Sequence, residues 1–180
     1  MFAVIENGSV AKVIPPDVTF SVNGKEYSHR FIRNSTLEER KAAGVYEIIY
    51  DQEPDQRFYW VDGPTYTVVE IDKNVRATYS SRAKQLEDIT VTPEEGNPYV
   101  QTGLKSQWIA QTKQTAGSLL AQTDWMVIRK AERNVEIPQA TQTYRAAVIA
   151  ECTRLETEIA GAADVLALIA VLNAQNWPKE

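Results

Sequence analysis

Few side chains in this sequence are of the types that do covalent or acid–base chemistry, and those few are scattered. The single histidine, His29, lies between Ser28 and Arg30 in a stretch expected to be a strand. A general base needs a substrate within hydrogen-bond reach and a third group to orient it, and no such triad is legible around His29, so a half-exposed strand residue is expected. The single cysteine, Cys152, falls on the apolar stripe of an expected helix, where nothing near it in sequence would favour a thiolate. A packed thiol is expected there. One histidine and one cysteine cannot supply a structural zinc site. The adjacent carboxylates Glu38–Glu39 and Glu94–Glu95 sit at a helix start and in a linker. They fit solvated charge better than the facing pair that glycoside hydrolysis uses. Phosphate loops, dinucleotide fingerprints and EF-hand spacing are absent. The expectation is a protein that is not an enzyme, with no catalytic residue, no cofactor and no metal.

Composition narrows the class further. The 180 residues are 43% hydrophobic and 24% charged, enough for one core or two small ones. The net charge is −5 and no basic cluster exists, so binding nucleic acid by neutralising phosphates is disfavoured. A lone cysteine forms no intrachain disulfide and fits a reducing compartment. No apolar run reaches membrane-spanning length, so no membrane insertion is expected. The opening "MFAVIENGSV" has no basic flank and meets Glu6 early, unlike a secretory signal. The cytosol of the producing cell is the expected location.

The elements that would position any site divide into unlike halves, and the fold class expected is α+β. Residues 1–90 are expected to form an antiparallel β domain with one short helix. Asn7-Gly8 and Asn23-Gly24 each separate alternating apolar runs. Both residues of such a pair tolerate positive φ, which suits two-residue hairpin turns. Val18, Phe20 and Val22 alternate with polar residues and predict one buried face. A third hairpin is expected with Asp62-Gly63 in its turn, lengthened by Pro64. Between the second and third, Ser35 and Glu38 have capping-box spacing and Gly44 is a stop signal, predicting a short helix. "VYEIIY" and "VRATYS" read as further strands.

Residues 91–103 are expected to be a linker, because Pro93 to Gly103 holds two prolines and two glycines. The halves are expected to pack loosely across it, if at all. Residues 104–176 are expected to form an antiparallel helical bundle. Leu104, Trp108, Thr112, Thr115 and Leu119 recur at helical steps, with Ile109, Ala116 and Leu120 beside them. Asp124 or Thr123 is expected to cap a second helix. Pro138 suits the first turn of a third, whose stripe is Thr141, Tyr144, Val148, Cys152, Leu155 and Ile159. Gly161 ends it, and Asp164 caps the last helix.

With chemistry thinly represented, binding becomes the stronger reading. Trp60, Trp108, Trp125 and Trp177 carry large apolar area with one polar N–H. Such residues fill cores and also anchor interfaces. The core is the better expectation for each, except that Trp125 lies at a helix start, in "TDWMVIR". There it can staple the corner against Tyr144 or sit on a groove edge. Arg129 follows one turn on, placed to stack on the indole or to pair with Asp124. Pro138 starts a helix that can bring Tyr144 and Arg145 back alongside, so one corner of Trp125, Arg129, Tyr144 and Arg145 is expected.

A longer segment around this corner, "SLLAQTDWMVIRKAERNVEIPQATQTYRAAV", resembles the C-terminal signature of tail-fibre assembly proteins and related tail assembly chaperones of tailed bacteriophages. The likeness is carried by Leu119, Leu120, Thr123, Asp124, Trp125, Arg129, Pro138, Tyr144 and Arg145. "STLEERKAAGVYEIIYDQEPDQRFYW" adds a weaker similarity to a segment of phage tail proteins. The chain departs from the pattern at Thr143, where members often carry a Trp, and in its long apolar helix from Val165 to Asn173. The resemblance implies a protein that helps a trimeric receptor-binding fibre to fold or attach, in some members staying at the fibre tip. It implies a phage tail fibre or other tail protein as partner, bound through Trp125, Arg129, Tyr144 and Arg145, and leaves a homo-oligomer open. It places the protein in the host cytoplasm during assembly, and in the virion tail if it stays bound. The alternative is a permanent structural subunit of the tail, baseplate or fibre.

Overall fold

The computed structural model describes residues 1–179, which fall into two compact units divided between Arg82 and Ala83. Both α and β structure are present, as expected. Among the described residues, no helix is long and apolar enough to cross a membrane.

The first unit begins with two hairpins set by asparagine–glycine pairs. β1 (Phe2–Glu6) and β2 (Ser9–Ile14) turn at Asn7 and Gly8, and β3 (Phe20–Val22) and β4 (Lys25–Tyr27) turn at Asn23 and Gly24. All four turn residues have positive φ, as a tight hairpin turn of this hand requires. Lys12 faces Val4 while Val10 faces Ile5, so Ala11 is the extra residue of a bulge. α1 (Phe31–Asn34) and α2 (Leu37–Ala42) follow. The capping box of α2 is Thr36 with Glu39, one residue later than the expected Ser35 with Glu38. Ser35 is already committed as the C-terminal cap of α1, its hydroxyl donating to the Phe31 carbonyl at 2.6 Å. The Thr36 hydrogen bonds hold the Glu39 carboxyl below its ordinary range. Gly44 stops α2 with φ 74°.

β5 (Val45–Tyr50), β6 (Tyr59–Val69) and β7 (Asn74–Ala83) complete a five-stranded sheet in the order β2-β1-β5-β7-β6. Two expectations are corrected here. Asp62-Gly63 is not a turn: β6 runs straight through it, and the chain reverses at residues 70–73, where Lys73 has φ 50°. The sheet is also not wholly antiparallel, because β5 and β7 pair in parallel, with Ile48 opposite Val75. The sequence of β6 gives the reason. Pro64 has no amide hydrogen to donate to a ladder, which suits β6 to an edge. β7 carries the fully buried Val75 and Ala77 and takes the inner place. β6 runs opposite to β5, so the second strand of its hairpin, β7, returns parallel to β5 and pairs with it.

Both faces of this sheet are covered. On one, Val4, Ile14 and Val45 pack with Phe20 and Val22 of the second hairpin and Ile32 of α1. On the other, Ala3, Ile5, Tyr46, Ile48, Val75 and Ala77 form a second core. The sheet curls over it, so that β2 and β6, at opposite ends of the strand order, approach each other. Val10, Val13, Tyr66 and Val68 from those two strands pack against this core.

In the second unit, the segment expected to be a bare linker is built structure. β8 (Ile89–Val91) pairs antiparallel with β9 (Tyr99–Gln101). The next turn is tied down at the start of α3 (Leu104–Ala121). The Asp88 carboxylate accepts from the Gly103 amide at 2.7 Å and from the Ser106 hydroxyl at 2.9 Å. The Leu104 amide donates to the Gln85 carbonyl at 2.9 Å. Gly103 is so close to this segment that an added Cβ would lie 2.4 Å from the Glu87 carbonyl carbon and oxygen. Gly103→Ala is therefore expected to destabilise the unit by about 1–3 kcal/mol or more in urea unfolding, because the clash is with backbone and cannot be relieved by a rotamer. Wild-type stability in Gly103→Ala would show that the contact is not held in solution.

Four helices fill the rest: α3, α4 (Asp124–Arg133), α5 (Gln139–Gly161) and α6 (Val165–Asn173). α3 packs on α5, and α5 on α6. The stripe expected on α5 is the buried one: Tyr144, Val148, Leu155 and Ile159 are buried and Cys152 is partly so. Asp164 caps α6, its carboxylate accepting from the Ala167 amide at 2.8 Å. Pro138 lies one residue earlier than expected, as the residue flanking α5. The chain beyond α6 is tied back to α5. Arg154 donates to Glu151, Glu158 and the Ala174 carbonyl, and Glu151 accepts the Asn176 amide at 2.8 Å. The Arg154 guanidinium holds the Glu151 carboxyl below the usual range. Of these four helices α4 alone has no buried residue, a property it shares with α2 of the first unit.

Candidate functional site

The "TDW" segment turns the chain from α3 into α4, and one arginine holds the turn. Arg145, on α5, donates from Nη1 to the Leu120 carbonyl at 2.9 Å and to the Thr123 hydroxyl at 2.7 Å. The same nitrogen lies 2.8 Å from the Asp124 carboxylate. The Thr123 hydroxyl in turn donates to the Leu120 carbonyl at 3.1 Å. Leu120 sits at the end of α3, where the last carbonyls lack helical partners. Arg145 thus adds a charged donor to a carbonyl that also accepts from the Thr123 amide at 3.0 Å. Its fixed fork suits it to several acceptors at once.

Neither expected cap forms. Thr123 holds the N-cap position of α4, but its side chain accepts nothing from the first turn. Its ψ is 2°, outside the extended region from which an N-cap oxygen reaches back to the free amides. The hydroxyl is instead turned toward Leu120 and Arg145, and Thr123 is 2% exposed. Asp124 is the first residue of the helix, where its charge favours the positive end of the helix dipole.

The four residues expected at one corner occupy three settings. Arg145 is the organiser just described, with its side chain 18% exposed. Tyr144 is buried with Ala116 and Val148, flanked by Leu119, Leu120 and Trp177. Trp125 and Arg129 form a pair that faces outward. The guanidinium carbon of Arg129 lies 4.8 Å from the indole centroid, a cation–π geometry. The Nε of Arg129 is buried with no hydrogen-bond partner among the described residues, so the ring is what holds it. Trp125 is 51% exposed, which excludes it as a core staple. The cost of Trp125→Ala to stability falls from the 3–5 kcal/mol typical of buried aromatics to a small surface effect.

Val127 and Ile128 are also exposed on α4 and were not picked out by spacing. A signal for them exists. Trp125, Met126, Val127 and Ile128 are four apolar residues in a row. A helix distributes such a run around its whole circumference, so no single face can bury it. Of the other tryptophans, Trp60 is exposed and not core, while Trp108 and Trp177 are partly buried.

The remaining candidates for chemistry are dispersed. His29 is exposed in a turn after β4 rather than within a strand, because that strand ends at Tyr27. Burial pushes the Cys152 thiol up, helped by the Glu156 carboxylate that accepts from it at 3.3 Å. It is a poor thiolate. Among the described residues, no group of three or more His, Cys, Asp or Glu could hold a metal ion.

The second unit thus carries a helix held at its N-terminal end by Arg145 that exposes one indole and two aliphatic side chains beside a partly buried guanidinium. No protein-family model, no curated protein and no solved structure matches the chain.

Proposed function

We propose that the protein is a non-enzymatic assembly factor for a trimeric bacteriophage tail fibre, which it binds through the outward face of α4. The observation that carries this reading is a helix with no buried residue, on which Trp125, Val127 and Ile128 stand in solvent beside the Arg129 guanidinium. Large apolar side chains left in solvent on several sides of one short helix leave it surface that a partner can cover. Trp and Arg are the residues most enriched at the centres of interfaces. The kind of partner is taken from the sequence resemblance around Thr123-Asp124-Trp125 and Tyr144-Arg145.

The physics of such a role is simple. Fibres are intertwined β structures of high contact order, so they fold slowly and expose strand edges and apolar surface meanwhile. A small protein that covers that surface suppresses aggregation by mass action and needs no nucleotide. On this reading α3, α5 and α6 are the antiparallel support and α4 is the reading helix. The protein acts in the host cytoplasm and either leaves the fibre or stays at its tip. Its presence in purified particles distinguishes a retained subunit from an assembly factor.

The test is co-expression with the neighbouring fibre and tail genes, followed by pull-down. Trp125→Ala and Arg129→Ala are each expected to weaken capture of the fibre protein by about tenfold or more, as hot-spot truncations do. Their melting temperatures should stay within about 2 °C of wild type, because surface changes cost little. Undiminished capture by both variants, or no capture by wild type, would overturn the proposal.

A further inference from the structure

A second feature lies in the first unit, independent of the fibre-binding surface. The end of β1, the turns of the β1–β2 and β3–β4 hairpins, the C-terminal end of α2, β5 and the β6–β7 turn converge on a cavity of about 470 Å³. That volume is within the range of small-ligand sites. Lys25, Lys41 and Lys73 line it, together with Glu70 and the rings of Tyr27 and Tyr46. Residues 1–82 contain only four lysines, the fourth being Lys12, so three of the four meet in this one place.

Three of the six arginines of the same unit are used differently. Arg33, Arg57 and Arg76 are each held by an aspartate, Asp17, Asp55 and Asp51. Of the three cavity lysines, only Lys73 has a carboxylate partner among the described residues, Glu70 at 2.5 Å. Lys25 lies instead over the Tyr27 ring at 5.1 Å, and Lys73 over the Tyr46 ring at 5.8 Å. Glu70 offsets one of the three positive charges of the lining, and the Glu6 carboxylate, held by the Asn23 amide at 2.7 Å, stands next to the lining without pairing with Lys25 or Lys41. Gathering like charges around a concave surface raises the local potential, and a bound anion relieves it.

We propose that this cavity binds a small polyanion, a molecule carrying a phosphate group or two or more carboxylates. Lys25 and Lys41 supply the uncompensated charge, and Lys73 joins them by sharing or releasing Glu70. The tyrosine rings form apolar walls against which the body of the ligand rests. The cavity is open to solvent, so binding weakens as salt rises.

The experiment is calorimetric titration of the full chain at low ionic strength with inorganic pyrophosphate and, separately, with citrate. Saturable binding of at least one is expected, and which one binds identifies the anionic group. The double substitution Lys25→Gln/Lys41→Gln should weaken that binding by about tenfold or more, because it removes both uncompensated charges. Lys12→Gln/Lys84→Gln makes the same change in net charge outside the cavity and should leave binding unchanged. Far-UV circular dichroism checks that each variant folds. Absence of saturable binding for both anions, or equal weakening by the two double variants, would overturn the proposal.

Discussion

Leu155→Ala will lower the unfolding free energy by about 2–5 kcal/mol, the loss expected when a leucine leaves a cavity in a packed core. Leu155 is 0% exposed and lies on the α5 stripe with Val148 and Ile159, which are equally buried. Removing its side chain forfeits the transfer energy of three carbons and the dispersion contacts of their neighbours. α5 is packed by α3 and by α6, so the wall can collapse only partly into the space. The measurement is the urea midpoint at constant slope, since a change of slope would signal a change in the denatured state. Ile149 is the internal control: it is on the same helix but 53% exposed, and Ile149→Ala should cost within about 0.5 kcal/mol beyond propensity. Equal effects at the two positions would show that the stripe is not the core.

Arg145→Ala will cost about 2–4 kcal/mol and will loosen α4 before the rest of the unit. The Leu120 carbonyl and the buried Thr123 hydroxyl both take hydrogen bonds from this one guanidinium. Hydrogen bonds to charged groups contribute about 1.5–3 kcal/mol, and the Leu120 carbonyl keeps the Thr123 amide and hydroxyl as donors when the guanidinium is removed. The ion pair with Asp124 adds less, because that carboxylate is 53% exposed and screened by water. Asp124→Asn should therefore cost only about 0–1 kcal/mol. Arg145→Lys should recover part of the loss, since one nitrogen makes all three contacts but the shorter lysine places its ammonium differently. Amide hydrogen exchange locates the effect. The α4 amides should exchange faster in Arg145→Ala while those of α5 around Leu155 keep their protection. Unchanged α4 protection would mean that the corner is not what holds the helix.

These two results probe what periodicity could and could not reveal. The α5 stripe was legible because burial on one helical face repeats every three or four residues, a local rule. The two asparagine–glycine hairpins were legible for the same kind of reason: their turns depend on the φ that two adjacent residues tolerate. Asp62-Gly63 shows the limit. It carries an equally good turn signal, yet β6 extends through it and the reversal comes at 70–73. A turn forms only where the strands on either side find partners, and those partners are remote in sequence. The parallel pairing of β5 with β7 has the same origin. Ser35 and Thr36 are interchangeable as capping residues by type. The choice between them follows from where α1 ends.

The surface on α4 divides in the same way. Sequence alone determined that Thr123 to Arg129 opens a helix, that Arg129 comes one turn after Trp125, and that four consecutive apolar residues must go all round its axis. Only the tertiary structure decided which of the four paired candidates face inward. Tyr144 and Arg145 are neighbours in sequence, but α5 turns one into the core against Ala116 and the other toward the end of α3. The cavity lysines lie at positions 25, 41 and 73, on a hairpin, a helix end and a turn. No spacing rule joins residues so far apart. Their proximity exists only because long-range strand pairing brings the three segments to one end of the curled sheet, and such pairing depends on contacts that local propensity does not encode.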